Sequence, residues 1–389
     1  MTDKTRNTWR SALLLPALGL LAIGVASAGP REQAKRIHDR LAGVPPSAAV
    51  LAQMEADIQA GRPLDAAQRA MQSSAFYNVT LKNWVAPWTN REQSVFVPLN
   101  DYTATVIGMV RDDEPFDTAL SADILYVGQG VPGVPAYSPT SNEHYERLEA
   151  SGADLKTVLV KQTQSSLNGI PAAATAGLMT TRAAAQAFFI AGTNRAMFRF
   201  TLMNHLCRDL EQVMDTSRPP DRIRQDVSRS PGGDSRVFLN NCIGCHSGMD
   251  PLAQAFAYYH YDETLARLVY TAGQVQAKYF NNADTFKPGF ATPDDRWDNY
   301  WRKGQNQLLG WDSALPGWGN GAKSLGQELA RSDAFAQCQV EKVFKAVCFR
   351  APANAADRAQ LQIIKSNFKS GGYRLKQVFA ETAVYCMGQ

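Results

Sequence analysis

The stretch Asn240-Asn241-Cys242-Ile243-Gly244-Cys245-His246-Ser247-Gly248-Met249-Asp250-Pro251 holds two of the chain's six cysteines and one of its five histidines. Cys242-x-x-Cys245-His246 has the spacing of covalent c-type haem attachment. On one helical turn both thiols lie on the same side and can reach the two vinyl groups of a porphyrin. The adjacent His246 imidazole then falls below the iron as the proximal ligand. Three plainer readings compete: a Cys242–Cys245 disulfide, a zinc site, and chance. Zinc normally needs a second Cys/His pair at short spacing, and the neighbouring sequence has none. The spacing occurs once, so one haem is expected.

The N-terminus bears on that choice. Lys4, Arg6 and Arg10 precede an apolar run from Ser11 to Ala26. Ala26-Ser27-Ala28 has the small-x-small pattern of a cleavage site, so residues 1–28 read as a signal peptide. The competing reading is an uncleaved anchor. Export favours haem, because covalent c-type haem is assembled outside the cytoplasmic membrane. A periplasmic or secreted protein follows. No membrane span is expected after cleavage, and peripheral association stays open.

Composition excludes other classes. Of the 389 residues, 45% are hydrophobic and 20% charged, which is ordinary for a globular chain and argues against pervasive disorder. The formal charge of +4 is small for this length, and no basic cluster suggests a nucleic-acid partner.

Most of the chain has helical periodicity. Ala34, Ile37 and Leu41 recur at helical spacing, and Gly43 with Pro45-Pro46 ends that segment. Ser47 is placed to cap the next helix. Gly61-Arg62-Pro63 breaks it, and Leu64 to Met71 reads as a third. Asp101 to Val110 is another candidate. Thr193 to Met214 is the longest pattern, with Phe200, Met203, Cys207, Leu210 and Met214 on one face and His205 nearly opposite. Asp234 is placed to cap a helix leading into the cysteines. Leu268 to Tyr270 and Gln274 to Phe280 read as a small hairpin about Ala272-Gly273. Residues 281–321 read as loop. The C-terminus returns to helix at Leu325 to Ala330, Phe335 to Cys348, Ala355 to Phe368 and Leu375 to Tyr385. The expected fold is mainly α, with helical subdomains around a single c-type haem and one small β-hairpin. The expected divisions are an N-terminal helical region (29–100), a middle helical region (101–230), a haem-attachment region (231–321) and a C-terminal helical region (322–389).

The sixth iron ligand is less legible. Methionine and histidine are the common choices. Met249 lies on the proximal side. The candidates are Met203, Met179 and His260, each of which packing alone would also explain. An open sixth position is the alternative and would favour small-ligand or peroxide chemistry.

Cys207, Cys338, Cys348 and Cys386 form an even set in an exported chain. Cys338 and Cys348 share one helix and would lie about 15 Å apart, too far to bridge. If the last three long helices run up-down-up, Cys348 meets Cys386, which leaves Cys207 with Cys338. Four buried free thiols are the alternative.

In this order the chain resembles the multidomain cytochrome-like proteins abundant in planctomycetes and also found in proteobacteria. The similar segments are RIHDRLAGVPPSAAVLAQM (36–54), DEPFDTALSADILYV (113–127), CIGCHSGMDPLAQAFAYYHYDE (242–263), ELARSDAFAQCQVEKVFKAVCFRAP (328–352) and YRLKQVFAET (373–382). The haem segment is the most specific, because Met-Asp-Pro-Leu follows the CxxCH in those proteins. The resemblance implies a haem on Cys242, Cys245 and His246 and says little of substrate. The chain departs from the pattern at Ala253, where those proteins usually have Gly, and at His260, which has no counterpart. Met249-Asp250-Pro251 is expected to shape the turn after the haem helix, with Asp250 capping and Pro251 starting the next.

The leading expectation is an exported monohaem carrier that passes electrons to a redox partner protein. The alternatives are a peroxidase-like enzyme, a haem subunit of a partner oxidoreductase, and a secreted binding module with structural haem. No catalytic set is assembled from the sequence.

Overall fold

The computed structural model describes residues 28–388 apart from Ala191, Asn281 and Ala283. The signal peptide read at residues 1–28 lies almost wholly outside the described residues. The described chain is mainly helical, with 55% helix and 7% strand. No helix among the described residues is long and apolar enough to cross a membrane.

The first helices follow from their punctuation. Helix α1 (Pro30–Ala42) starts with proline at its first position, where no amide donor is needed. It buries Ala34, Ile37, His38 and Leu41, and Gly43 closes it at φ +72°. Only a glycine takes that left-handed position without strain. Ser47 accepts the Val50 amide hydrogen to start α2 (Ala48–Gln59). Proline again opens α3 (Pro63–Ala70). Helix α4 (Asp101–Arg111) is capped by Asn100 and is buried from Asp101 through Val110. Such all-round burial marks the centre of a core. The short helices α5 (Glu143–Ala150), α6 (Arg182–Phe188) and α7 (Arg195–Thr201) follow.

The long helix expected over 193–214 does not form. Past α7 the backbone makes one wide π-type turn (Leu202–Leu206) and stops at Cys207, which is left-handed at φ +53°. A 3-10 turn over Leu210–Val213 follows, started by an Asp209/Gln212 capping box. The wide turn rotates the register. His205, expected on the polar side, is therefore buried at 2% exposure, while Met214 is exposed at 41%.

Helix α8 (Ile243–Ala253) carries Cys245 and His246 of the CxxCH motif, and Cys242 is its N-cap residue at the end of a π-type turn (Phe238–Cys242). Pro251 lies inside α8 instead of starting a new helix, and Asp250 is a buried interior residue instead of a cap. The C-terminal helices are α9 (Gly321–Ala330), α10 (Asp333–Cys348), α11 (Ala355–Ser370) and α12 (Leu375–Tyr385). The two ends of the chain share one bundle, in which α12 packs on α1, α3, α10 and α11. Phe379 of α12 seals it, with ring centroids 5.2 Å from both Phe76 and Trp84.

Among the described residues the strands form three antiparallel pairs, more than the one hairpin expected: β1 (Leu125–Gly128) with β2 (Leu159–Gln162), β3 (Tyr259–Asp262) with β4 (Arg267–Tyr270), and β5 (Arg296–Asp298) with β6 (Trp318–Asn320). The middle hairpin differs from the expected one. It turns at residues 263–266, where Asp262 accepts the Thr264 and Leu265 amide hydrogens, each at 2.9 Å. The chain beyond Gly273 forms a 3-10 turn instead of a strand. An aspartate satisfying its own turn outweighed the more conspicuous Ala-Gly pair.

Two disulfides join Cys207 to Cys338 and Cys348 to Cys386, with Cα separations of 5.2 and 5.6 Å. The first ties the end of the wide turn to the middle of α10. The second ties α10 to the C-terminal end of α12.

Candidate haem-attachment site

Asp234 accepts the Arg236 amide hydrogen and opens the helical run into the motif. Small residues then decide how α8 sits. Gly244, Ser247 and Gly248 lie on one side of the helix. A Cβ on Gly248 would stand 1.9 Å from the Trp301 indole nitrogen, and one on Gly244 would stand 3.3 Å from the Met214 Cβ. The Gly244 carbonyl accepts the Asp215 amide hydrogen at 2.9 Å. The Ser247 hydroxyl donates to the Asp215 carbonyl at 3.0 Å. This face is pressed against the protein.

The opposite face carries Cys242, Cys245 and His246. Both cysteines are unpaired and half-buried, so the Cys242–Cys245 disulfide does not form. The Cys245 thiol approaches the Leu210 carbonyl at 3.7 Å. Burial pushes that thiol's pKa up, and the nearby Glu211 and Asp209 push the same way. The His246 side chain keeps 19% exposure. One turn of helix thus presents two thiols and an imidazole together at a partly open surface. Among the described residues no group of three or more His, Cys, Asp or Glu side chains could hold a bare metal ion.

One ring nitrogen of His246 is already engaged. Nδ1 donates to Asp250, 3.2 Å from Oδ1 and 3.3 Å from Oδ2. In the neutral ring, this leaves Nε2 as the nitrogen with the lone pair. Asp250 is fully buried and held as a charge. Arg195 grips it two-handed, Nε to Oδ1 at 2.7 Å and Nη2 to Oδ2 at 2.8 Å. The same guanidinium holds Asp226 at 2.5 and 2.9 Å. The buried Arg224 adds its backbone amide at 3.4 Å and its guanidinium at 3.6 Å. Burial alone would raise the Asp250 carboxyl, but the Arg195 and Arg224 charges outweigh it and hold it well below the usual carboxylate range.

This network was missed in the sequence. His246 and Asp250 are i and i+4, so they are helix neighbours; that spacing was the available signal. Arg195 and Arg224 carry none, because they arrive from distant segments. The axial candidates come from other elements. Met179 lines a small cavity with Tyr102, Met197 and His205. Met203 is half-buried on the wide turn and packs against the core. His260 sits on β3 opposite Val269.

Compared with protein-family models, curated proteins and solved structures, the chain matches none.

Proposed function

We propose that this chain is an exported monohaem c-type cytochrome that passes electrons to a redox partner protein, as the resemblance to the planctomycete-type multidomain cytochromes suggests. The observation that carries the reading is the single helical face holding two unpaired thiols beside an imidazole whose Nδ1 is already occupied. Cys242 and Cys245 would anchor the porphyrin through thioether bonds, and Nε2 of His246 would be the proximal ligand. The haem, when bound, supplies one-electron chemistry. The protein supplies the rest: the glycine-packed back of α8 holds the attachment face in place, and Asp250 keeps His246 in the tautomer a metal requires. The site would lie in the periplasm or on a secreted protein.

The test is expression with residues 1–28 in a host that assembles c-type haem. The expected product keeps a haem absorption band after denaturation and acid-acetone extraction. Cys242→Ser with Cys245→Ser loses it. Exported wild-type protein that carries no covalent haem would overturn the proposal.

A peroxidase-like reading is favoured by one observation, the His246–Asp250 pair, since a carboxylate behind the ligand raises its basicity. Carbon monoxide decides between the two. Rapid binding to the reduced protein indicates an open sixth position and favours the enzyme, and no binding favours the carrier.

A further inference from the structure

We infer that Asp250, clamped by Arg195 and Arg224, acts through His246 as a positioning residue that lowers the reduction potential of the attached haem. The inference rests on the haem reading above and adds how the site is tuned.

A neutral backbone carbonyl behind a ligating histidine orients the ring. A carboxylate in the same place also draws on the Nδ1 hydrogen and increases the electron density the ligand offers, which favours the oxidised iron. The strength of that pull depends on how much of the carboxylate's charge is spent elsewhere. Here the accounting is local. Asp250 faces Arg195 from α7, Arg224 from the segment before α8, and His246 from its own helix. Arg195 is shared with Asp226, which takes its Nη1 and part of its Nη2. Asp250 is wholly buried and Asp226 keeps 12% side-chain exposure; both face Arg195, and the charges of Arg224 and Arg229 also act on them. Asp250 remains an ionised acceptor but is not free to take the His246 proton. Asp226 sets the balance from a distance: it competes with Asp250 for Arg195 and leaves Asp250 more of its charge to direct at the imidazole.

The chain of influence predicts two effects of the same sign. Asp250→Asn keeps an acceptor for Nδ1 but removes the charge. Asp226→Asn leaves the His246 contact intact but frees Arg195 to neutralise Asp250 more completely. Removing either carboxylate also raises the potential by direct Coulomb interaction, so action through the imidazole is read from the His246 tautomer together with the potential.

The experiment is a spectroelectrochemical titration of the purified wild-type, Asp250→Asn and Asp226→Asn holoproteins. At a fixed ambient potential Asp250→Asn is expected to raise the ferrous-to-ferric ratio at least tenfold, a shift of about 59 mV for one electron. Asp226→Asn shifts it the same way by less. If Asp250→Asn does not fold, Asp226→Asn still decides. Nitrogen NMR of His246 in the haem-free Cys242→Ala/Cys245→Ala chain gives a second readout. It should report a single Nδ1-protonated tautomer, and a mixed population would count against the clamp. Haem-loaded, folded variants with the wild-type potential would overturn the inference while leaving the attachment reading intact. A wild-type chain that never acquires haem would overturn both.

Discussion

His246 and Asp250 face each other across one turn of α8, with Nδ1 3.2 Å from the nearer carboxylate oxygen and Asp250 wholly buried. A buried charge of this kind is tolerated only because it is paired. Arg195→Met strands Asp250 and is expected to destabilise the fold by about 3–5 kcal/mol. The double variant with Asp250→Asn should cost less than the sum of the two single changes, because the residues share one network. Urea titrations of the three variants measure this, and strict additivity would count against the network.

The packing of α8 makes a separate prediction. Gly248→Ala puts a methyl group where the Trp301 indole now lies. The indole must move, at a cost of about 1–3 kcal/mol. Thermal denaturation should detect the loss, and near-ultraviolet circular dichroism should report the disturbed tryptophan. An unchanged spectrum would mean that Trp301 does not rest on α8.

The disulfides should differ in weight. Cys207–Cys338 spans 131 residues and Cys348–Cys386 spans 38. Each paired Cys→Ser replacement is expected to cost about 2–5 kcal/mol, more for the longer loop. Denaturant midpoints rank them. Peptide mapping without reduction checks the pairing directly, and any other connectivity would refute the arrangement.

Acid should weaken the fold through His205. Its Nε2 accepts from the Tyr102 hydroxyl at 2.7 Å, and its Nδ1 has no partner among the described residues. Burial first, and the charge of Lys342 second, hold its pKa well below 6.5. The folded chain keeps it neutral, while the unfolded chain protonates it as pH falls through about 6.5. The unfolded state then binds more protons, so this contribution is complete at pH 7 and is lost as pH falls. The loss is up to about 1.4 kcal/mol per pH unit. His205→Gln should flatten that part of the stability curve between pH 7 and 5. Equal slopes in both proteins would refute it.

Local chemistry made much of the helical structure readable. Gly43, Ser47 and Pro63 each act within a few residues of themselves, so they mark helix ends wherever the chain folds. The CxxCH spacing is equally local, and it brings Cys242, Cys245 and His246 onto one face of α8. What lay beyond reach depended on distant partners. The wide turn that buries His205 answers to Tyr102, which lies 103 residues away in sequence. The hairpin at 259–270 was settled by a side chain closing its own turn, a choice that hydrophobic pattern does not display. Asp250 has the spacing of a cap and the position of a core residue, and only the arrival of Arg195, 55 residues upstream, makes it a buried charge. By itself, then, the sequence determined where several helices start and stop and that Cys242, Cys245 and His246 share one face, because those depend on backbone geometry over one turn. Only the tertiary structure decided what stands behind His246, because a buried carboxylate is stable only where the fold brings a guanidinium to meet it.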